Sequence, residues 1–210
     1  MKANEQAMPS FHLGITMAGA VSAGAYTSGV MDYLFELLDV WEQAKNGVAA
    51  GADGSLIPRH NVVIDAMGGA SAGGMVTTMS VIHALKGDIK PMRDTEIPHT
   101  KTGNIFYDNW VFLDDDDDSR TFAKLWDTSD LKSGRLTSLL NTSFIDNITD
   151  RTFEVKGNLA DKLKTLPSYI SPDLDVILSH CLLQGIPLEI NFTTPVAEEF
   201  GSQESTSHCT

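Results

Sequence analysis

The stretch Asn61–Gly74, NVVIDAMGGASAGG, decides the fold, because it runs from β-branched residues into a cluster of glycine, alanine and serine. Asn61–Met67 has the composition of a strand buried on both faces, where side chains read as a near-continuous apolar run. Gly68–Gly74 breaks that run, and Met75–Leu85 resumes as an apolar segment of helical length. Inside the break stands Gly69-Ala70-Ser71-Ala72-Gly73, a G-x-S-x-G pattern with a strand before it and a helix after it. A serine on so sharp a turn needs small neighbours on either side, which Gly69, Ala70 and Gly73 supply. The helix that follows points its free amides, Ala72 among them, and its positive end at the same place. Ser71 is therefore the candidate nucleophile, exposed at the C-terminal edge of a sheet where α/β folds bind ligands. The same residues would also serve as a plain glycine-rich turn.

Moving toward the N-terminus, the pattern repeats. Phe11–Met17 reads as a short buried strand and Ala18–Gly24 as a loop of small residues. From Tyr26 the period changes to that of a helix, with Val30, Leu34, Leu37, Leu38 and Trp41 as its apolar stripe and Asp32, Glu36 and Asp39 off it. Strand, loop, helix, twice over, is the grammar of an α/β fold. The backbone amides of the loop Ala18–Gly24 are candidates for an oxyanion hole, each such donor being worth about 3 kcal/mol in a transition state. Gly24 is followed by Ala25-Tyr26 rather than Lys-Ser/Thr, so the loop is no Walker motif, and neither glycine cluster spells G-x-G-x-x-G. A general anion-binding loop remains an alternative use of both clusters.

Toward the C-terminus, residues 86–172 read as a mainly helical insertion, with short helical patterns around Phe122–Trp126, Leu136–Leu140 and Phe144–Arg151. Strands are expected at Leu174–Leu178 and Leu188–Phe192, and no element after Pro195. With 210 residues, the whole chain 1–210 is expected to be one domain.

The chain carries 15 Lys and Arg against 28 Asp and Glu, a net charge of −13. That field repels phosphate backbones, so nucleic acid is not an expected partner. Cys181 and Cys209 form no CxxC pair, which argues against a zinc site or a disulfide scaffold. Leu13–Met31 has no charge but is rich in glycine, alanine, serine and threonine, a poor composition for a membrane span. No signal peptide is evident, and a cytoplasmic or peripherally membrane-associated protein is expected. The run Asp114–Asp118 lacks the interleaved spacing of a calcium loop and reads as a solvated acidic segment. No metal or cofactor is expected. A serine nucleophile needs a base. His83 follows Ser71 by twelve residues on the same helix, about 18 Å along its axis, too far to serve. His180 follows a strand and is the one histidine that suits a Ser-His-Asp esterase or acyltransferase.

Taken together, Gly19–Gly24 and Gly69–Gly73 resemble the patatin-like phospholipase family, as a divergent bacterial branch. The glycine loop stands where that family has its oxyanion loop, and the serine motif where it has its nucleophile, which implies an oxyanion held by the amides of Gly19, Ala20, Val21 and Ala72. Ile170–Phe192 is similar to the strand pair that follows the insertion. The resemblance implies a three-layer α/β/α sheet core, a Ser–Asp dyad, and hydrolysis of acyl esters in lipids or phospholipids, as in phospholipase A or a lysophospholipase. The loop departs from the family pattern Gly-Gly-Gly-x-Arg/Lys-Gly, since only Gly19 and Gly24 match and Ala23 replaces the basic residue. The Asp-Gly-Gly/Ala motif that carries the dyad aspartate does not follow Ser71, and Asp53-Gly54-Ser55 lies on the wrong side of it. The resemblance therefore implies a chain that lacks its base, with the aspartate expected beyond Thr210 and the chain alone weakly active or inactive.

Overall fold

The run Asn61–Ala70 is strand β2, the centre of a parallel sheet in the order β1-β2-β3, with β1 at Ser10–Met17 and β3 at Ile170–Ser179. The computed structural model describes residues 8–47, 56–87, 90–92, 101–112, 125–129, 131, 139–181, 185, 188–191 and 206–209. Helix α1, Ala23–Lys45, follows β1, and helix α2, Ala72–Lys86, follows β2. The α/β alternation is thus the architecture. β2 runs three residues past the expected end at Met67, and both helices begin earlier than their apolar periods do. Glycine and alanine are taken up into the helical first turns because tertiary packing there overrides the low propensity of glycine.

Val62, Ile64 and Met67 of β2 bury one face of the sheet against Met31, Phe35 and Leu38 of α1 and Val76, Met79 and Ile82 of α2. Each such side chain contributes roughly 1.5–3 kcal/mol when fully buried. The β1 and β2 registers slip between Leu13/Gly14 and Ile64/Ala66, so Asp65 is the extra residue of a bulge. Its carboxylate meets the Nδ1 of His12 at 2.6 Å on the surface. Tyr169, just before β3, is buried beside Phe35. Burial, with the charges of Asp39 and Glu42 in support, pushes its phenol far above the ordinary value.

The expected stripe of α1 is rotated only in part: Leu38 is buried and Leu34 and Trp41 pack against the core as expected. Val30 and Leu37 are 47% and 49% exposed, while Ser28, Met31, Asp32, Phe35 and Leu38 face inward. Asp32 explains the rotation. Its carboxylate accepts from Asn104 Nδ2 at 2.8 Å and from the Met92 amide at 3.0 Å. A buried acid is tolerated when its lone pairs are met in this way. Asn104 is itself the cap of helix α3, Ile105–Val111, with its Oδ1 accepting from the Phe106 and Tyr107 amides. Ser28 Oγ completes the joint by donating to Phe106 O at 2.7 Å.

Helix α4, Ser143–Phe153, occupies the pattern expected at Phe144–Arg151, and a short helix α5 spans Leu159–Lys164. Asp114–Asp118 lies outside the described residues, as do most of the patterns at Phe122–Trp126 and Leu136–Leu140. Leu13–Met31 becomes β1, the small-residue loop and the start of α1. Among the described residues no helix is long and apolar enough to cross a membrane. Residues His180–Thr210 form a compact unit of their own. In it, β4 at Leu188–Asn191 pairs antiparallel with β5 at Thr206–Cys209. β5 corrects the expectation of no element after Pro195: its pairing partner, rather than its own hydropathy, makes it a strand.

Asn104 joins α1, the segment at Lys90 and α3 through four hydrogen bonds. Asn104→Ala is expected to lower the unfolding free energy by about 2–4 kcal/mol, a cap and a buried charged bond being lost together. Urea denaturation checks this, and an unchanged midpoint would contradict it.

Candidate active site at the Ser71 turn

Ser71 has φ 52° and ψ −123°, the sole positive φ at a non-glycine residue among those described. Such a conformation costs of order 1–3 kcal/mol and persists only where the surroundings impose it. The imposing contacts are visible on both sides. A Cβ on Gly69 would stand 2.3 Å from Gly73 C, and one on Gly73 would stand 2.2 Å from Met17 O. Strand end and helix start therefore touch backbone to backbone, and the chain must reverse within the single residue Ser71. Ser71 is exposed and occupies the N-cap of α2, yet its side chain makes no capping bond. Among the described residues its hydroxyl bonds to no protein group, so it is free for a ligand.

The glycine loop is brought to the same place. A Cβ on Gly19 would lie 3.1 Å from Ser71 Cβ and 3.2 Å from Ala70 O. Gly24 abuts Ala72, and the ring of Trp110 from α3 fills the space a larger residue would need. Gly24 is thus required for packing, whereas Gly19 lies against the turn itself. Ala20 is half-buried, Val21 is exposed and Ala72 is buried. Among the described residues no turn or cap bond engages the amides of Gly19, Ala20, Val21 or Ala72.

The helix starts of α1 and α2 meet here, through Gly24 and Ala72. Neither has an acidic residue in its first turn, and neither has a side-chain cap. Unsatisfied first-turn amides and the positive end of the helix dipole favour negative charge. The arrangement suits an oxyanion that develops beside Ser71 Oγ.

Of the candidate bases, His83 sits elsewhere on the same unit as Ser71. His83 is buried on α2, stacked on Phe35 with ring centroids 4.7 Å apart. His180 belongs to the unit His180–Thr210, and its exposed ring makes no hydrogen bond among the described residues. The His12–Asp65 pair went unread in the sequence because its members are 53 residues apart and meet only through parallel pairing. Asp65 stands six residues before Ser71 along β2, about 20 Å in an extended strand. That pair does not serve Ser71 either.

A curated protein of Sinorhizobium fredii (strain NBRC 101917 / NGR234), "Uncharacterized protein y4iI", is 33% identical over 192 residues, 88% of this chain and 26% of that protein. The chain spans about a quarter of the length of this relative. No protein-family model matches the chain, and no solved structure matches it.

Two substitutions read the strain directly. Ser71→Gly is expected to raise stability by about 1 kcal/mol, since relief of the backbone exceeds the added freedom of the unfolded chain. Gly73→Ala should lose more than about 3 kcal/mol, because its methyl would overlap the Met17 carbonyl. Denaturant titration of the two variants checks both signs; a destabilised Ser71→Gly protein would contradict the strain.

Proposed function

We propose that this chain is a lipid acyl hydrolase of the patatin-like type, with Ser71 as its nucleophile. The observation that carries the reading is the Ser71 turn: a strained, exposed serine with an unengaged hydroxyl, placed where two uncapped helix starts meet. Ser71 Oγ attacks the ester carbonyl carbon and gives its proton to a carboxylate outside the described residues. The oxyanion is held by the amides of Ala72 and of Gly19, Ala20 and Val21. Collapse of the tetrahedral intermediate expels the alcohol, which takes up the proton. Water then attacks the acyl-serine and releases the fatty acid. The substrate is an acyl ester of a lipid or phospholipid, met by peripheral contact with a membrane surface.

The finer architecture we propose is three layers, α/β/α. One face of the sheet is covered by α1 and α2. The other holds a hollow of about 400 Å³ lined by Gly14, Thr16, Ala66, Gly68, Ala70 and Ile177. Small side chains along such a face suit a helix laid across it.

Fatty acid released from lysophosphatidylcholine tests the reading. Turnover at least about tenfold above that of Ser71→Ala is expected, since loss of the nucleophile removes the acyl-enzyme route. Equal rates for the two proteins would contradict it. The His180→Ala variant should keep the rate of the parent; loss of activity there would favour a Ser-His-Asp mechanism instead.

A further inference from the structure

At the opposite end of α2 from Ser71, about 22 Å along the helix axis, lies a cavity of about 450 Å³. It is lined by Lys86, Lys90, Arg151, Lys156 and Lys162, five of the 15 basic residues in a chain of net charge −13. They come from the end of α2, the segment after it, the end of α4, the link to α5, and α5 itself. So many cations converging from separate elements repel one another and need a reason.

Part of the reason is structural. Lys86 Nζ donates to Arg151 O at 3.4 Å, and Lys162 Nζ donates to Lys86 O at 3.0 Å, so two of the lysines tie helix ends together. Arg151 Nη2 donates to Asn109 Oδ1 at 3.4 Å. Lys90 and Lys156 have no such task. Both are exposed, and among the described residues neither side chain makes a hydrogen bond or an ion pair. The Lys90 backbone is nonetheless fixed, its carbonyl accepting from Asn104 Nδ2. Two carboxylates also line the cavity. Asp108 is committed to the Thr102 amide and hydroxyl and to the Gly103 amide, and Glu154 follows the end of α4. Among the described residues five cations and two carboxylates line the cavity.

We propose that this cavity binds a phosphate-bearing small molecule, with Lys90 and Lys156 as its mobile cationic arms. Its volume falls in the range of small-ligand sites, about 300–1,000 Å³. A lining with two unpaired lysines, Lys90 and Lys156, suits a diphosphate or a terminal phosphomonoester, each phosphate carrying about −1.5 to −2 at neutral pH. The strongly acidic remainder of the chain excludes a nucleic-acid backbone as the occupant. The proposal does not rest on the Ser71 reading, since it uses none of the same residues.

Calorimetric titration of the whole chain with inorganic pyrophosphate tests a free anion. Sedimentation with phosphatidylcholine vesicles, with and without phosphatidic acid, tests the same group on a lipid. Saturable pyrophosphate binding that weakens at least about tenfold in Lys90→Glu/Lys156→Glu, and weakens with added salt, would support a soluble ligand. Binding to vesicles only when they contain phosphatidic acid, lost in the same variant, would support a lipid headgroup. Neither binding, or binding that the double variant leaves intact, would overturn the proposal. Both lysines are exposed, so the variant should keep the parent's thermal midpoint; Lys90→Gln alone, expected to weaken binding in the same direction, decides the matter if it does not.

Discussion

Contact between backbone and backbone at the start of α2 is the constraint on which the rest depends. Gly73 passes so close to the Met17 carbonyl, and Gly69 so close to Gly73, that neither position has space for a methyl group. The contact locks the end of β1, the end of β2 and the first turn of α2 into one unit. It also leaves one residue in which to turn from strand to helix, and that residue is Ser71, at φ 52°. A conformation that would cost stability elsewhere is held here by everything packed around it. The buried face of α2 and its partners on α1 and α3, chiefly Phe35, Val76, Met79 and Phe106, supply the apolar burial that offsets the strain.

Electrostatics at the turn follow from the same closeness. A chain with 28 acidic residues has none in the first turn of α1 or of α2, where they would complement the helix dipoles. The positive ends of both helices are met by no carboxylate of their own first turns. At the far end of α2 the situation is reversed. Lysines gather around helix ends whose carbonyls attract them, and they exceed what those carbonyls require. One helix thus separates an uncapped amide-rich turn from a cationic cavity.

Much of the sheet core was legible because its signals are local. The apolar run Asn61–Met67, the small-residue loops and the following helices are each written in consecutive residues, and the two loops could be paired by their common strand–loop–helix setting. The rotation of α1 was not legible, since it depends on Asn104 reaching Asp32 across 72 residues. Helices α3 and α5 are too short to show a period, yet each starts at an asparagine whose side chain caps it, Asn104 and Asn158. An asparagine followed at once by an apolar residue was their available signal. The cationic cavity drew its residues from positions 86–162, singly spaced among polar neighbours, and left no pattern to read.

The claim at the centre of this account is that the geometry of the turn makes Ser71 a reactive nucleophile. Intact-mass analysis after exposure to a fluorophosphonate tests it most directly. A single adduct per chain is expected, mapped to the peptide that contains Ser71 and absent from Ser71→Ala. No adduct after prolonged exposure, or one that persists in Ser71→Ala, would contradict it.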